Sequence, residues 1–301
     1  MCINFSTSGA AFAWDPACWL RVHGADAASF LQGQFSNDLR LLERPGEPAV
    51  YGLWLSTKGK VLADSFVVRG SGTDEYWVGS YFSRAEVVRS RLESFIVADE
   101  VVVEDETSGW TAVTVWGPGV GQGENLARGG EAYLFPGRRG GGPSLECVFR
   151  RGSGVAAMAA SLAGRRLAAE EVARARIGER IPAVPQEIGP GDLPAEGGLD
   201  ADAVSFTKGC YLGQEVMARL RSMGQVRRRL VRVKGAGDVP AGLPAPLFLA
   251  GRQVGDLRSA VAGNAGGWVG LAMVSRLAVA AATDLSLAAE GPAGLTVEDA
   301  P

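Results

Sequence analysis

The chain has 301 residues, of which 47% are hydrophobic and 21% charged, and it carries a net charge of −3. That is enough apolar material for one large core or two to three smaller ones, and too little positive charge for a surface given over to nucleic acid. No run of 18 apolar residues marks a membrane span, and one histidine with four scattered cysteines leaves no zinc site, disulfide framework, local iron–sulfur motif or His-based triad to be read.

The N-terminal stretch MCINFSTSGAAFAWDPACWL lacks both a secretory leader and the arginine-rich character of an organellar transit peptide, so a cytoplasmic protein with reduced thiols is expected. GADAASFLQGQFSND, at 24–38, reads as a short helix ended by Ser36, Asn37 and Asp38. AVYGLWLSTKGKVLADSFVVRG reads as a β-hairpin turning at Thr57, Lys58 and Gly59, and EYWVGSYF as a further strand. A helix follows with Ser83 as expected N-cap, Glu86 as its capping-box partner, and Val87, Val88, Leu92 and Phe95 as an apolar stripe. EVVVED and WTAVTVWG return to strand.

Residues 117–143 are glycine-rich; GVGQGE superficially resembles a phosphate loop but lacks G-K-[ST], and a plain loop is the better reading. VAAMAASLAG and RRLAAEEVARARIGERI have helical propensity. IPAVPQEIGPGDLPAEGGLDADAVSF is a long aperiodic stretch of the kind that lies over a site. Beyond residue 228, LVRVKG, PLFLAGRQVGDLRSAV, GWVGLAMV and DLSLA are short strands with glycine-bearing turns, which suggests an antiparallel barrel or sandwich.

The chemistry concentrates in VSFTKGCYLGQEVMARL. Lys208 and Gly209 form a tight turn before Cys210, and a helix is expected to begin near Gly213. A helix N-terminus and a neighbouring lysine both favour thiolate over thiol, so this pattern suits a reactive cysteine, although packing cysteines are common. Glu215 and Arg219, four apart, have the spacing of an ordinary intrahelical ion pair. The basic run Arg219, Arg221, Arg227, Arg228, Arg229, Arg232 and Lys234 is either a solvated face or a grip for an acidic ligand or partner.

K-G-C-Y-x-G-Q-E followed by A-R, at 208–219, resembles the signature of the folate-binding YgfZ family, relatives of the glycine-cleavage T-protein that act in iron–sulfur protein maturation. GADAASFLQGQFSND, STKGKVLAD and LPAEGGLDADAVSF match the same family in order, so the likeness covers nearly the whole chain. It implies an α+β, T-protein-like multi-lobe ring with a C-terminal antiparallel β-barrel. The expected units are a first α+β lobe at 1–110, a second at 111–227 carrying the signature, and the barrel at 228–301.

The resemblance further implies tetrahydrofolate, or a derivative, as cofactor and iron–sulfur client or assembly proteins as partners, with no stable nucleic acid and no membrane. It points to Cys210, Lys208 and Asp64 as chemical residues, and to Asn37, Asp38, Tyr211, Gln214, Glu215, Arg219 and Arg176 as residues facing the cofactor. Asp38 as a helix-end cap and Asp64 as a strand-edge carboxylate are the plainer alternatives. Where the family's R-[LI]-E-A-G motif holds the pterin through its glutamate, this chain has Gly178, with Glu179 about 100° out of phase. Either Glu187 or Glu196 replaces that acceptor, or folate binds weakly. Three functions remain open: an iron–sulfur maturation factor supporting tRNA-modifying enzymes indirectly, a folate-dependent one-carbon transferase using Asp64, and a scaffold in which Cys210 only packs.

Overall fold

A computed structural model describes residues 5, 9–117, 132–153, 165–264 and 266–299. Alternation in the first hundred residues produces an antiparallel sheet of β2 (Cys18–His23), β3 (Ala49–Leu55), β4 (Val61–Arg69), β5 (Glu75–Ser80) and β6 (Val102–Asp105), in the order β3-β4-β5-β2-β6. Helices α1 (Ala27–Gln34) and α2 (Ala85–Glu93) set Phe30, Leu31, Val88 and Leu92 into one core with Leu20, Val22, Trp54 and Val67 of the strands. The alternate residues Trp19, Phe66, Val68 and Trp77 form a second core with Trp110, Phe135 and Val148. Period-two patterning thus buries both faces of the sheet.

That second core is shared with another sheet, ordered β10-β1-β7-β9-β8, built from β1 (Ala10–Trp14), β7 (Trp110–Trp116), β8 (Ala132–Pro136), β9 (Ser144–Arg150) and β10 (Arg165–Arg166). The chain's first strand therefore pairs with strands a hundred residues away, which local pattern cannot show. Helix α3 (Ala169–Gly178) packs Val172 and Ala175 against Trp116 and Ala10. Its backbone is approached closely by Gly140, whose φ is +73° and where a Cβ would lie 2.9 Å from the Ala175 carbonyl oxygen. Helix α4 (Gln214–Met223) follows the signature loop.

The C-terminal strands β11 (Arg228–Gly235), β12 (Ala245–Leu249), β13 (Arg252–Ala262), β14 (Trp268–Ser275), β15 (Asp284–Leu285) and β16 (Leu295–Val297) form an antiparallel sheet ordered β12-β13-β14-β11-β16-β15. Phe248 and Ser286 exchange N–H···O bonds of 2.9 and 3.0 Å between its two ends, which brings it close to a closed barrel. The fold is α+β as expected; β1, β2, β8, β9, β10 and β16 are added to the strands read from sequence, β10 at Arg165–Arg166 where a helix was expected.

Two expectations are corrected. Ser83 does not cap α2: the N-cap is Arg84, without a side-chain bond, and the Ser83 hydroxyl turns inward to Asp64 and the Val184 carbonyl. Val87 belongs to the exposed face rather than the apolar stripe. The expected helix at 155–164 and the GVGQGE stretch lie outside the described residues.

The barrel is joined to the rest of the chain by charge as well as by apolar contact. Asp192, buried in the long loop, accepts from Arg228 on β11 at 2.9 Å and from both terminal nitrogens of Arg258 on β13, while its backbone carbonyl accepts from Val61 at the start of β4. Burial alone would raise the Asp192 carboxyl, but Arg258 and the Gly189 N–H bring it below the usual aspartate range. Removing this acceptor takes from Arg228 and Arg258 the buried carboxylate they share, leaving them Glu196 and Asp256 respectively. Asp192→Ala is expected to cost on the order of 3 kcal/mol in urea or thermal unfolding, more than Arg228→Ala alone; equal small losses for both would show that Asp192 is not the docking point.

Candidate functional site

The signature loop is an arch standing on the end of α1. A helix leaves its last carbonyls without intrahelical partners, and here the loop supplies them. The buried Lys208 ammonium donates to the carbonyls of Gln32, Phe35 and Asn37 at 2.6, 2.8 and 2.8 Å, using all three of its protons. The backbone N–H of Leu212 donates to the Gly33 carbonyl at 3.2 Å. Tyr211 is buried with Met217 and Leu230. Gly213, at φ +87°, begins α4 where a Cβ would stand 2.9 Å from the Ser56 carbonyl oxygen. Between these fixtures Cys210 is exposed, whereas Cys18 and Cys147 are buried; Cys2 lies outside the described residues.

This arrangement changes the roles read from sequence. Lys208 is spent on three carbonyls, and burial pushes it down to about 8. Helix α4 starts at Gln214, four residues past Cys210, so its N-terminus does not hold the thiol either. Gln214 donates weakly, at 3.4 Å, to the Lys208 carbonyl and braces the arch from inside. Glu215 and Arg219 are exposed and pair with each other at 2.6 Å, as the i, i+4 spacing predicts.

Asp64 occupies a second compartment. Only 3% exposed, it accepts from the hydroxyls of Ser80 and Ser83 at 2.7 Å each and of Tyr51 at 3.0 Å. Burial raises its carboxyl above the ordinary aspartate range, against these three bonds. Arg138 stacks 4.3 Å over the Tyr51 ring and ion-pairs with Asp202, and its backbone N–H donates to Tyr81 at 3.0 Å. Asn37 connects the two compartments by donating to the carbonyls of Tyr51 and Asp202 at 2.8 and 3.0 Å. Asp38 caps the short turn after α1 and pairs with Arg40, which holds its carboxyl well below the usual range.

Arg176 is an internal strut rather than an open ligand group: it grips the buried Glu187 at 2.8 Å and the Ile181 carbonyl at 2.6 Å. Glu196 accepts from Arg228 at 2.9 Å, and Glu179 accepts from the Gly141 N–H at 2.8 Å. Gly178 opens on a cavity of about 1140 Å³ between α3 and the barrel, which none of the expected site residues lines. Tyr51, Ser80, Arg138 and Asp202 escaped the sequence reading. The one available signal was two arginines inside the glycine run GRRGGG.

Two family models match: the GCVT N-terminal domain over residues 12–122, and the CAF17 C-terminal beta-barrel domain over residues 227–300. The iron-sulfur cluster assembly factor IBA57, mitochondrial, of Homo sapiens is 29% identical over 294 residues, covering 86% of this chain and 78% of that protein. Its counterpart in Mus musculus is 28% identical over 288 residues, covering 87% and 76%. The glycine cleavage system aminomethyltransferase T from Bartonella henselae superposes with a TM-score of 0.76 at 18% identity, covering 98% of this chain and 86% of that one. The chain therefore joins a GCVT-type N-terminal domain to a CAF17-type barrel on the aminomethyltransferase fold. The expected cytoplasmic location is corrected: the named relatives are mitochondrial proteins.

The raised Asp64 carboxyl has a signed consequence. The native protein keeps a proton that the unfolded chain has lost, so this group's contribution to stability is complete below about pH 4 and falls as pH rises through the folded value. Asp64→Asn, whose neighbours are rotatable hydroxyls, removes that dependence. It is expected to gain steadily on the wild type as pH rises above about 4 in urea titrations; a gap that shrinks as pH rises would contradict the buried-carboxyl account.

Proposed function

We propose that this chain is an iron–sulfur cluster assembly factor in which Cys210 is the working thiol, offered to a cluster held jointly with, or passed to, a partner protein. The observation that carries the proposal is the exposure of Cys210 at the top of an arch whose supports are buried. Iron–sulfur clusters are held by thiolates, and one cysteine cannot complete a ligand set, so the remaining ligands come from the partner. The similarity to IBA57 proteins over most of the chain supports the same reading. Enzymes that modify tRNA would depend on the protein through their own clusters, as the YgfZ likeness suggests.

Tetrahydrofolate has no part in the proposed steps. A pterin needs a buried acceptor for its N–H groups. Gly178 offers none, Glu187 is committed to Arg176, and Glu196 to Arg228. Asp64 is closed in by three hydroxyls. These contacts do not fit the cofactor, and they weigh against one-carbon transfer through Asp64. Tetrahydrofolate titrated calorimetrically into the purified protein should bind at least tenfold more weakly than to Gly178→Glu, about 1.4 kcal/mol for one restored acceptor. Equal, tight binding to both would return folate to the mechanism.

The function is tested by complementation in cells lacking the endogenous factor, with activity of a cluster-dependent enzyme as readout. Cys210→Ser should lose most activity, tenfold or more, while folding like the wild type; Asp64→Asn should retain it. Full activity of Cys210→Ser would defeat the thiol proposal, and loss confined to Asp64→Asn would favour the transferase.

A further inference from the structure

The two residues equidistant from Cys210 in sequence, Lys208 and Leu212, both bond to the C-terminal turn of α1, one through its side chain and one through its backbone. The arch thus has two feet on a single helical turn. Lys208 supplies three of the four bonds, and all run to carbonyls that the end of α1 leaves open or that follow it directly. A cation at a helix C-terminus also meets the negative end of the helix dipole.

The reactive side of the loop has no comparable support. No Cβ-blocking neighbour lies within 4 Å of Gly209, so the residue before the thiol is open. Tyr211 fills the core behind the thiol, its ring 5.2 Å from the Lys208 nitrogen.

We infer that Lys208 is a positioning residue: its ammonium, bound to the end of α1, fixes where the Cys210 sulfur stands, and it takes no part in the thiol's chemistry. The inference rests on the reading of Cys210 as the working thiol and adds the reason a lysine stands two residues before it. A sulfur shared between two proteins must meet metal–ligand distances fixed within a few tenths of an ångström, and a rigid loop meets them without first being ordered. Lysine fits because three carbonyls converge on one point, matching the three protons of an ammonium; a planar guanidinium spreads its donors and methionine has none.

The test is a nitroxide spin label on Cys210 in a Cys2→Ser background, with a control label on α2 at Ser90→Cys in a Cys210→Ser protein. In the wild type the Cys210 label should give a motionally restricted spectrum. Lys208→Met should shift it to a mobile one while leaving the Ser90 label and the buried-tryptophan fluorescence unchanged, and Lys208→Arg should fall between. Complementing activity should drop about tenfold in Lys208→Met, with the thiol still fully alkylated by iodoacetamide. If Lys208→Met does not fold, Gly213→Ala strains the far side of the same arch and should mobilise the same label. An unchanged Cys210 spectrum in the folded variant overturns the inference. A mobilised label with undiminished activity retains the clamp and overturns the Cys210 reading beneath it.

Discussion

A helix of eight residues ends in carbonyls that nothing within it can satisfy, and in this protein the remedy for that deficit also builds the functional loop. The chain returns to the end of α1 171 to 176 residues later, at Lys208, and caps the helix with a side chain and a backbone amide. Ser205 donates to the Ser36 carbonyl, and the Ser36 hydroxyl to that of Ala203, extending the seam by two more bonds. A buried ammonium is costly unless its protons are matched, and here all three are. Helix end and signature loop are consequently one unit: neither is satisfied without the other, and the exposed thiol inherits its position from their joint.

The same constraint accounts for how little of the signature does chemistry. Lysine clamps, tyrosine packs, the second glycine makes room beside Ser56, glutamine braces, and glutamate and arginine pair on the surface. Six positions of close specification serve to expose one sulfur. Against this, the Asp64 compartment is closed by hydroxyls, by Tyr51 and by Arg138 above Tyr51. A fold shared with an aminomethyltransferase thus holds its buried aspartate in a shell where ionisation is disfavoured, and presents a cysteine elsewhere.

Much of the architecture was legible because its signals are local. The β3–β4 hairpin turned at Lys58 and Gly59, α3 and α4 formed where propensity placed them, and the barrel strands followed their short alternating runs. The misreadings share a physical cause, competition from distant partners. Ser83 has a capping residue's chemistry and spacing, but the buried Asp64 carboxyl and the Val184 carbonyl outbid a helix end already open to water. Lys208 beside Cys210 has the pattern of thiolate activation, but the carbonyls of α1 claim it. Arg138 sits in a glycine run with no periodicity, so nothing local marks it as the cover over Tyr51. The mitochondrial location of the relatives had no local signal at all.

The barrel's attachment follows the same economy of buried charge. Its arginines are directed inward: Arg228 and Arg258 meet Asp192, Arg228 also meets Glu196, and Arg232 meets Asp299 and the Gly178 carbonyl at the end of α3. Of the basic run that could be read as a surface for an acidic partner, Arg228 and Arg232 are internal fastenings, while Arg219, Arg221, Arg227 and Lys234 stay exposed. Each of these acids lies in the long loop or the last strand's extension, segments with too little periodic apolar content to hold themselves down. Fastening the long loop at Asp192 and Glu196 fixes the chain only a dozen residues before Lys208, so the barrel reaches the thiol through the loop it anchors. Position at Cys210 thus depends on two joints, one at the end of α1 and one at the barrel wall, and the intervening segment is short enough for both to be felt.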